Sequence, residues 1–298
     1  IHSHSWFVQS TVDVCLFVRK ATPTQATILL LVWVDDILIA SPSESARDAF
    51  VKQIGERFPT EDKGPLSWIL GIAITYHVGT PSIELSQSLF ISDLLEKFAP
   101  QIAAGQTRKF DTPAEEGLKL DLSQSPPFGS AEHNKMSDRR ADFYSIVGSL
   151  LWLANMTCFE LAYVVSQLSR VVSNPSEKHW FAAIRVLIYL KSRSPVGLVY
   201  QPSLPKGRSE YSLFVDSDWD ARPSTGGAIF FYLGCPFAWF SKVQKSVSLS
   251  SAEAEMFGLC LAVREALFYR DVLFDLGILK VGPTDILMDS KSAIDLSF

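Results

Sequence analysis

Cysteine is scarce in this 298-residue sequence, and the four present do not cluster. Cys15, Cys158, Cys235 and Cys260 form no CxxC pair, which argues against a zinc site and a disulfide framework and points to a reducing interior. Five scattered histidines support no Ser-His-Asp or Cys-His arrangement. His2 and His4 sit at a terminus and read as a frayed end, not a metal site. With 16 glycines and 16 prolines, a collagen-like or low-complexity chain is excluded. Long hydrophobic runs are missing too: the most apolar stretch, Ala26 to Ala40, is interrupted by Asp35 and Asp36 and is too short and too charged to span a membrane. Residues 1–20 lack the basic start and apolar run of a signal peptide. The net charge of −5 argues against a globally basic nucleic-acid binder, so any such contact needs local basic patches. What the chain does have is core material: 47% apolar and 12% aromatic residues exclude wholesale disorder. The length sets an expectation of two or three domains. The opening Ile1 in place of Met predicts a fragment.

Residues 27–33 (TILLLVW) and 37–40 (ILIA) flank an Asp-Asp break and read as a buried β-hairpin. An amphipathic helix follows over 43–57, with Ala46, Phe50, Val51 and Ile54 on its apolar side. Beyond Gly64-Pro65, strands are predicted over Leu66–Tyr76 and Ile83–Leu85, then a helix over Leu89–Phe98. Residues 105–142 are rich in Pro, Ser, Asp and Lys and read as a polar linker. A helical period runs from Tyr144 to Val172, Asn174-Pro175-Ser176 stops it, and a second helix over Glu177–Ser192 completes an α-hairpin. Strands return at Tyr211–Val215, Gly227–Leu233, Phe237–Ser241 and Ile286–Met288. A helix spans Ser251–Leu276, and another starts at Lys291. The fold class expected is mixed α/β.

Four groups carry chemistry. Asp35 and Asp36 are adjacent carboxylates at the tip of an apolar hairpin, which places them near a core or cleft where a divalent cation would relieve their repulsion. A solvated turn is the plain alternative. Asp216 and Asp289 end strands, and Glu255 sits early in the Ser251 helix. These three could converge on one metal site, with Asp218 and Glu253 as neighbouring alternatives. Ser224-Thr225-Gly226-Gly227 resembles a phosphate-cradling turn but lacks the lysine and spacing of a P-loop, so a turn into the next strand is the simpler reading. Arg170, Lys178, His179, Trp180, Arg185, Lys191 and Arg193 form a basic and aromatic stripe, in which Lys178 and Arg185 share a helix face. Such a stripe either tracks phosphates or is a solvated face.

The order of these motifs resembles the C-terminal part of a copia-type retrotransposon polyprotein. Gln9-Ser10, Asp13 and Cys15-Leu16-Phe17-Val18 fit the segment before that family's catalytic hairpin, and LLVWVDDILIA at 30–40 resembles its YVDD motif. Leu70-Gly71-Ile72, QSLFISDLLEKF at 87–98, YSIVGSL at 144–150, VSQLSR at 165–170 and HWFAAIRVLIYLK at 179–191 follow in the family's order. DSDW at 216–219, STGG at 224–227, LSSAEAE at 249–255 and DSKSAI at 289–294 resemble its ribonuclease H part.

The resemblance implies a partial polymerase palm and the start of a thumb over 1–104 and the polar linker over 105–142. It then implies a helical thumb/connection over 143–205 and a C-terminally truncated ribonuclease H-like mixed sheet with helices over 206–298. It carries catalytic and metal-binding roles to Asp35, Asp36, Asp216, Glu255 and Asp289, with Mg²⁺ or Mn²⁺ as cofactor. It gives nucleic-acid contacts to Trp33, Lys178, Arg185, Ser224 and Thr225. The implied activities are RNA-directed DNA synthesis and cleavage of RNA in RNA–DNA hybrids. The implied partners are primer–template, hybrid and the rest of the polyprotein, with no membrane. The setting is intracellular: cytoplasmic, in virus-like particles, or nuclear. Three departures stand out. Trp33 replaces the family's Tyr, Cys158-Phe159-Glu160 replaces Arg-Pro-Asp, and the loop at Asp220-Ala221-Arg222 is shortened. The family's earlier polymerase aspartate and fourth ribonuclease H acid have no counterpart among these residues, so the expectation is a chain inactive as a polymerase and impaired or inactive as a nuclease. The alternative is a non-enzymatic remnant or a domesticated nucleic-acid-binding module.

Overall fold

The computed structural model describes residues 7–105, 109–193, 197–204, 206–219, 223–280 and 282–297. His2, His4 and the Asp220–Arg222 loop lie outside the described residues. The chain opens with an antiparallel sheet of four strands in sequence order, β1 (Val8–Gln9), β2 (Leu16–Arg19), β3 (Ile28–Trp33) and β4 (Asp36–Ala40). Alternation along β3 sends Ile28 and Leu30 inward, where Phe17 and Phe50 meet them. Phe50 comes from α1 (Glu44–Gly55), whose N-cap Ser43 accepts a hydrogen bond from the Ala46 amide.

The burial expected for both flanks of the β3–β4 tip is not found. Trp33 and Val34 are 57% and 86% exposed, and Asp35 and Asp36 are exposed beside them. The reason is that α1 covers one face of the sheet only, and the tip projects past it.

A second sheet begins with β5 (Trp68–Ile69), β6 (Ile72–His77) and β7 (Ser82–Ser86). The single strand expected over Leu66–Tyr76 is split by a tight turn, because Leu70 and Gly71 both take positive φ. Helices α2 (Ser88–Lys97), α3 (Ala99–Gly105), α4 (Ala131–Lys135), α5 (Arg140–Met156), α6 (Ala162–Arg170) and α7 (Glu177–Ser192) follow. Then β8 (Leu198–Tyr200) returns to pair with β7, so the helices are an insertion between neighbouring strands.

The helices share one core, in which Phe143, Leu150, Leu153, Leu161, Leu168 and Leu187 are fully buried. The expected helix over 144–172 is two helices. It breaks at Thr157-Cys158, where the Thr157 hydroxyl donates to Gln87 Oε1 at 2.8 Å and Cys158 turns into the core. The described part of the predicted linker, 109–142, is no free tether. Leu120 and Met136 are buried in the same core, and Phe110, Ala114 and Leu118 pack on it. Their polar composition hid a few well-spaced apolar anchors.

The third sheet holds β9 (Tyr211–Asp218), β10 (Thr225–Tyr232), β11 (Cys235–Val243) and β12 (Asp285–Leu287) in the order β11-β10-β9-β12. The first three form a meander, and β12 joins β9 in parallel. The crossover runs through α8 (Ser251–Asp275), and α9 (Lys291–Leu296) closes the described chain. Tyr211, Leu213 and Val215 of β9 pack with Ala228 and Phe230 against Ala262, Ala266 and Leu273 of α8.

This unit touches both others. Trp239 Nε1 donates to the Ala154 carbonyl at 2.6 Å, and its ring packs beside Phe159. Asp275 accepts bonds from the Ser10 hydroxyl and the Thr11 amide at 2.8 and 2.9 Å. No described helix is long and apolar enough to cross a membrane.

Candidate metal centre

The parallel pair β9/β12 ends both strands on the same side; β11, two antiparallel steps from β9, ends there too, and α8 starts from it before the chain returns as β12. Asp216 lies inside β9, two pairs before its end. Asp289 follows β12 by two residues, and Glu255 stands in the opening turns of α8. One ligand atom from each of Asp216, Glu255 and Asp289 lies within 4.8 Å of the others. This is the only such group of three or more acidic, His or Cys residues among the described residues.

Glu255 is buried while the two aspartates are exposed. Its Oε2 has no hydrogen-bond partner. Burial first, then the charges of Asp216 and Asp289, push its carboxyl up to about 7. Three carboxylates, one of them buried and unpaired, form an all-oxygen donor set suited to a hard divalent cation.

The acids expected as alternatives are elsewhere engaged or set aside. Glu253 accepts from the Leu249 amide at 2.6 Å, while the N-cap Ser250 accepts from the Glu253 amide. Asp218 lines the adjoining cleft but is not in the triad. That cleft holds about 920 Å³. The strand-end acids and Trp219 form one wall, and Lys119, Phe159 and Tyr163 of the helical insertion form the other.

The remaining predicted residues scatter. Asp35 and Asp36 stand on the first sheet and join no third ligand among the described residues. Trp33 is exposed beside them. Lys178 is exposed on α7, but Arg185, predicted to share its role, is committed inside the fold. It pairs with Glu115 at 3.3 Å, donates to the Ala114 carbonyl and lies 4.0 Å from the centre of the Phe110 ring. His179 is wholly buried, its Nδ1 accepting from the Ser176 amide in a capping box, and burial lowers its imidazole to about 4. Ser224 and Thr225 are buried at the entry to β10, so the expected phosphate turn is a strand start, and only Thr225 reaches the cleft lining.

Sequence reasoning missed the residues that set the triad's spacing. A Cβ on Gly258 would fall well under 3.0 Å from Ser217 Oγ, and one on Gly226 would lie 3.2 Å from Gly258 Cα. These glycines let α8 settle onto β9 and β10. The available signal was Gly258 itself, a helix-weakening residue one turn past Glu255.

Residues 2–109 match the family described as Reverse transcriptase (RNA-dependent DNA polymerase). The chain is 29% identical over 291 residues to the Retrovirus-related Pol polyprotein from transposon TNT 1-94 of Nicotiana tabacum, covering 98% of this chain and 21% of that one. It is 30% identical over 235 residues to a putative transposon Ty5-1 protein of Saccharomyces cerevisiae, covering 76% of this chain and 70% of that protein. The chain belongs to the copia-type retrotransposon reverse-transcriptase family. The family read from the VDD and SSAEAE motifs therefore stands. The chain spans about a fifth of the length of the tobacco polyprotein. A foamy viral protease–reverse transcriptase solved in complex with double-stranded DNA covers 90% of this chain and 40% of its own at 16% identity and a TM-score of 0.47.

Proposed function

We propose that this reverse-transcriptase region of a retrotransposon polyprotein carries a ribonuclease H-type nuclease at Asp216, Glu255 and Asp289, acting on the RNA strand of an RNA–DNA hybrid. The observation that carries the reading is the buried, unpaired Glu255 Oε2 beside two exposed carboxylates at parallel strand ends. Mg²⁺ or Mn²⁺ bound there would supply an acidified water and positive charge beside the leaving 3′ oxygen.

The protein's own part is positional. Glu255 offers its oxygen from within the fold, where no neighbour competes for it. Asp216 and Asp289 flank it from adjacent strands, on the side open to solvent and substrate. Burial first, and then the charges of Asp216 and Asp289 in the cation-free site, hold the Glu255 proton up to about 7. Trp219, 41% exposed, lines the cleft beside the acids, and Lys119 on the opposite wall offers a cation for a phosphate.

RNA-directed DNA synthesis by the polyprotein is the companion assignment for Asp35 and Asp36. These two exposed carboxylates have no third ligand among the described residues and do not by themselves close a cation site. Primer–template and the rest of the polyprotein are the partners this reading names, in the cytoplasm or nucleus.

The competing reading is a non-enzymatic, nucleic-acid-binding remnant. The altered Cys158-Phe159-Glu160 segment favours it, since Cys158 is buried and Glu160 is paired internally with Arg193. The test is cleavage of a labelled RNA–DNA hybrid by the folded chain in Mg²⁺ or Mn²⁺. The nuclease reading expects cuts in the RNA strand that vanish in Asp216→Asn. An intact hybrid, or cleavage indifferent to that substitution, favours the remnant.

A further inference from the structure

Gln244 follows the last residue of β11 and is 3% exposed, yet every polar atom of its side chain is used. Its Nε2 donates to the Ala254 carbonyl at 2.7 Å and to Ser217 Oγ at 3.5 Å. Its Oε1 accepts from the Ser248 hydroxyl at 3.2 Å. Its backbone amide donates to the Ser224 carbonyl at 2.7 Å. These partners are not arbitrary: Ala254 precedes Glu255, and Ser217 follows Asp216. One buried amide therefore ties the helix that carries one acid to the strand that carries another. The two close glycines remove any side-chain spacer between helix and sheet at the same level. Packing thus sets how near α8 lies, and it leaves sliding along the strand and rotation about the helix axis to be fixed by directional bonds. Gln244 supplies them at the end of α8 that carries Glu255; farther along the helix the Tyr211 hydroxyl donates to the Ala266 carbonyl at 3.0 Å.

We infer that Gln244 is a positioning residue of the Asp216–Glu255–Asp289 centre: it fixes Glu255 relative to Asp216 and thereby sets the affinity of the site for a divalent cation. This rests on the nuclease reading above. Gln244 touches none of the three carboxylates, so its effect passes through backbone placement alone. Loss of a group bonded directly to a metal ligand lowers metal affinity about 10- to 100-fold, and Gln244, one step further out, belongs at the lower end of that range.

The test is Mn²⁺ binding to the full chain, followed by electron paramagnetic resonance, in the parent, Asp216→Asn, Gln244→Met and Ser248→Ala. Gln244→Met keeps the length of the side chain and removes all of its hydrogen bonds. Ser248→Ala leaves Gln244 in place and removes only the bond that orients its Oε1. We expect roughly tenfold weaker Mn²⁺ binding in Gln244→Met and a smaller loss in Ser248→Ala, each measured where circular dichroism shows a folded chain. If Gln244→Met fails to fold, the Ser248→Ala loss decides. Parental affinity in a folded Gln244→Met, or in Ser248→Ala should that one decide, overturns the inference while the nuclease reading survives. A parent that binds no Mn²⁺ beyond the Asp216→Asn background overturns the nuclease reading, and this inference with it.

Discussion

Replacing Gly258 by alanine should separate the helix from the sheet at the metal centre. The new Cβ would fall well under 3.0 Å from Ser217 Oγ, 3.3 Å from Ser217 Cβ and 3.7 Å from the Asp216 carbonyl oxygen. Ser217 is a strand residue with its own backbone paired, so it has little room to retreat. Overpacking of this kind costs about 1–3 kcal/mol. Alanine in place of glycine inside a helix returns about 1 kcal/mol. The net expectation is a destabilisation of up to about 2 kcal/mol. Ser217→Ala alone loses only the long 3.5 Å bond from Gln244, which should cost under about 1 kcal/mol. Combined with Gly258→Ala it removes the worst clash and leaves a tight 3.3 Å contact. The double variant should therefore recover most of the loss, with a coupling of about 1–2 kcal/mol. Urea unfolding of the parent, both single variants and the double variant measures this, read as a midpoint shift at constant slope. A Gly258→Ala chain as stable as the parent or more so, with no coupling to Ser217, refutes the close approach.

Two further expectations concern the helical insertion. His179 is held near 4 by burial, well below the ordinary imidazole value of 6.5, so its contribution to stability is present above pH 6.5 and is lost as pH falls through about 4. Most of that loss, about 2 kcal/mol, should show between pH 7 and 5, and His179→Leu should flatten the slope; equal stability of the parent at both pH values contradicts it. Arg185→Ala removes the contacts with Glu115, Ala114 and Phe110 and should cost about 1–2 kcal/mol while leaving affinity for an RNA–DNA hybrid unchanged in a filter-binding assay. A stable variant with weakened hybrid binding returns Arg185 to the phosphate-tracking role.

Much of the fold was legible because its signals are local. The apolar runs around Asp35-Asp36 specify a hairpin, Ser43 and Ser250 sit at helix N-caps, and Ser176 of Asn174-Pro175-Ser176 caps the helix that follows, the one before having ended at Arg170. The triad was legible for the same reason: acids at the ends of two strands and the start of the connecting helix converge once those strands pair in parallel. What sequence could not supply depends on which face another element covers. Periodicity makes the VDD tip apolar, but α1 reaches only one face, and the tip stays in solvent. Leu120 and Met136 look like stray apolar residues in a polar stretch until the helices bury them. Arg185 shares a helix face with Lys178, yet the segment around Phe110 folds over it. Gln244 gives no periodic signal, since its partners lie on three separate elements.

Mn²⁺ titration across pH, in the parent and in Glu255→Gln, probes whether Asp216, Glu255 and Asp289 form a divalent-cation centre. Glu255 holds its proton to about 7, and a bound cation must displace it. The expected result is a single site whose affinity rises about tenfold per pH unit below pH 7, levels off above it, and disappears in Glu255→Gln. Binding of equal strength in Glu255→Gln, or none in the folded parent at pH 8, would contradict it.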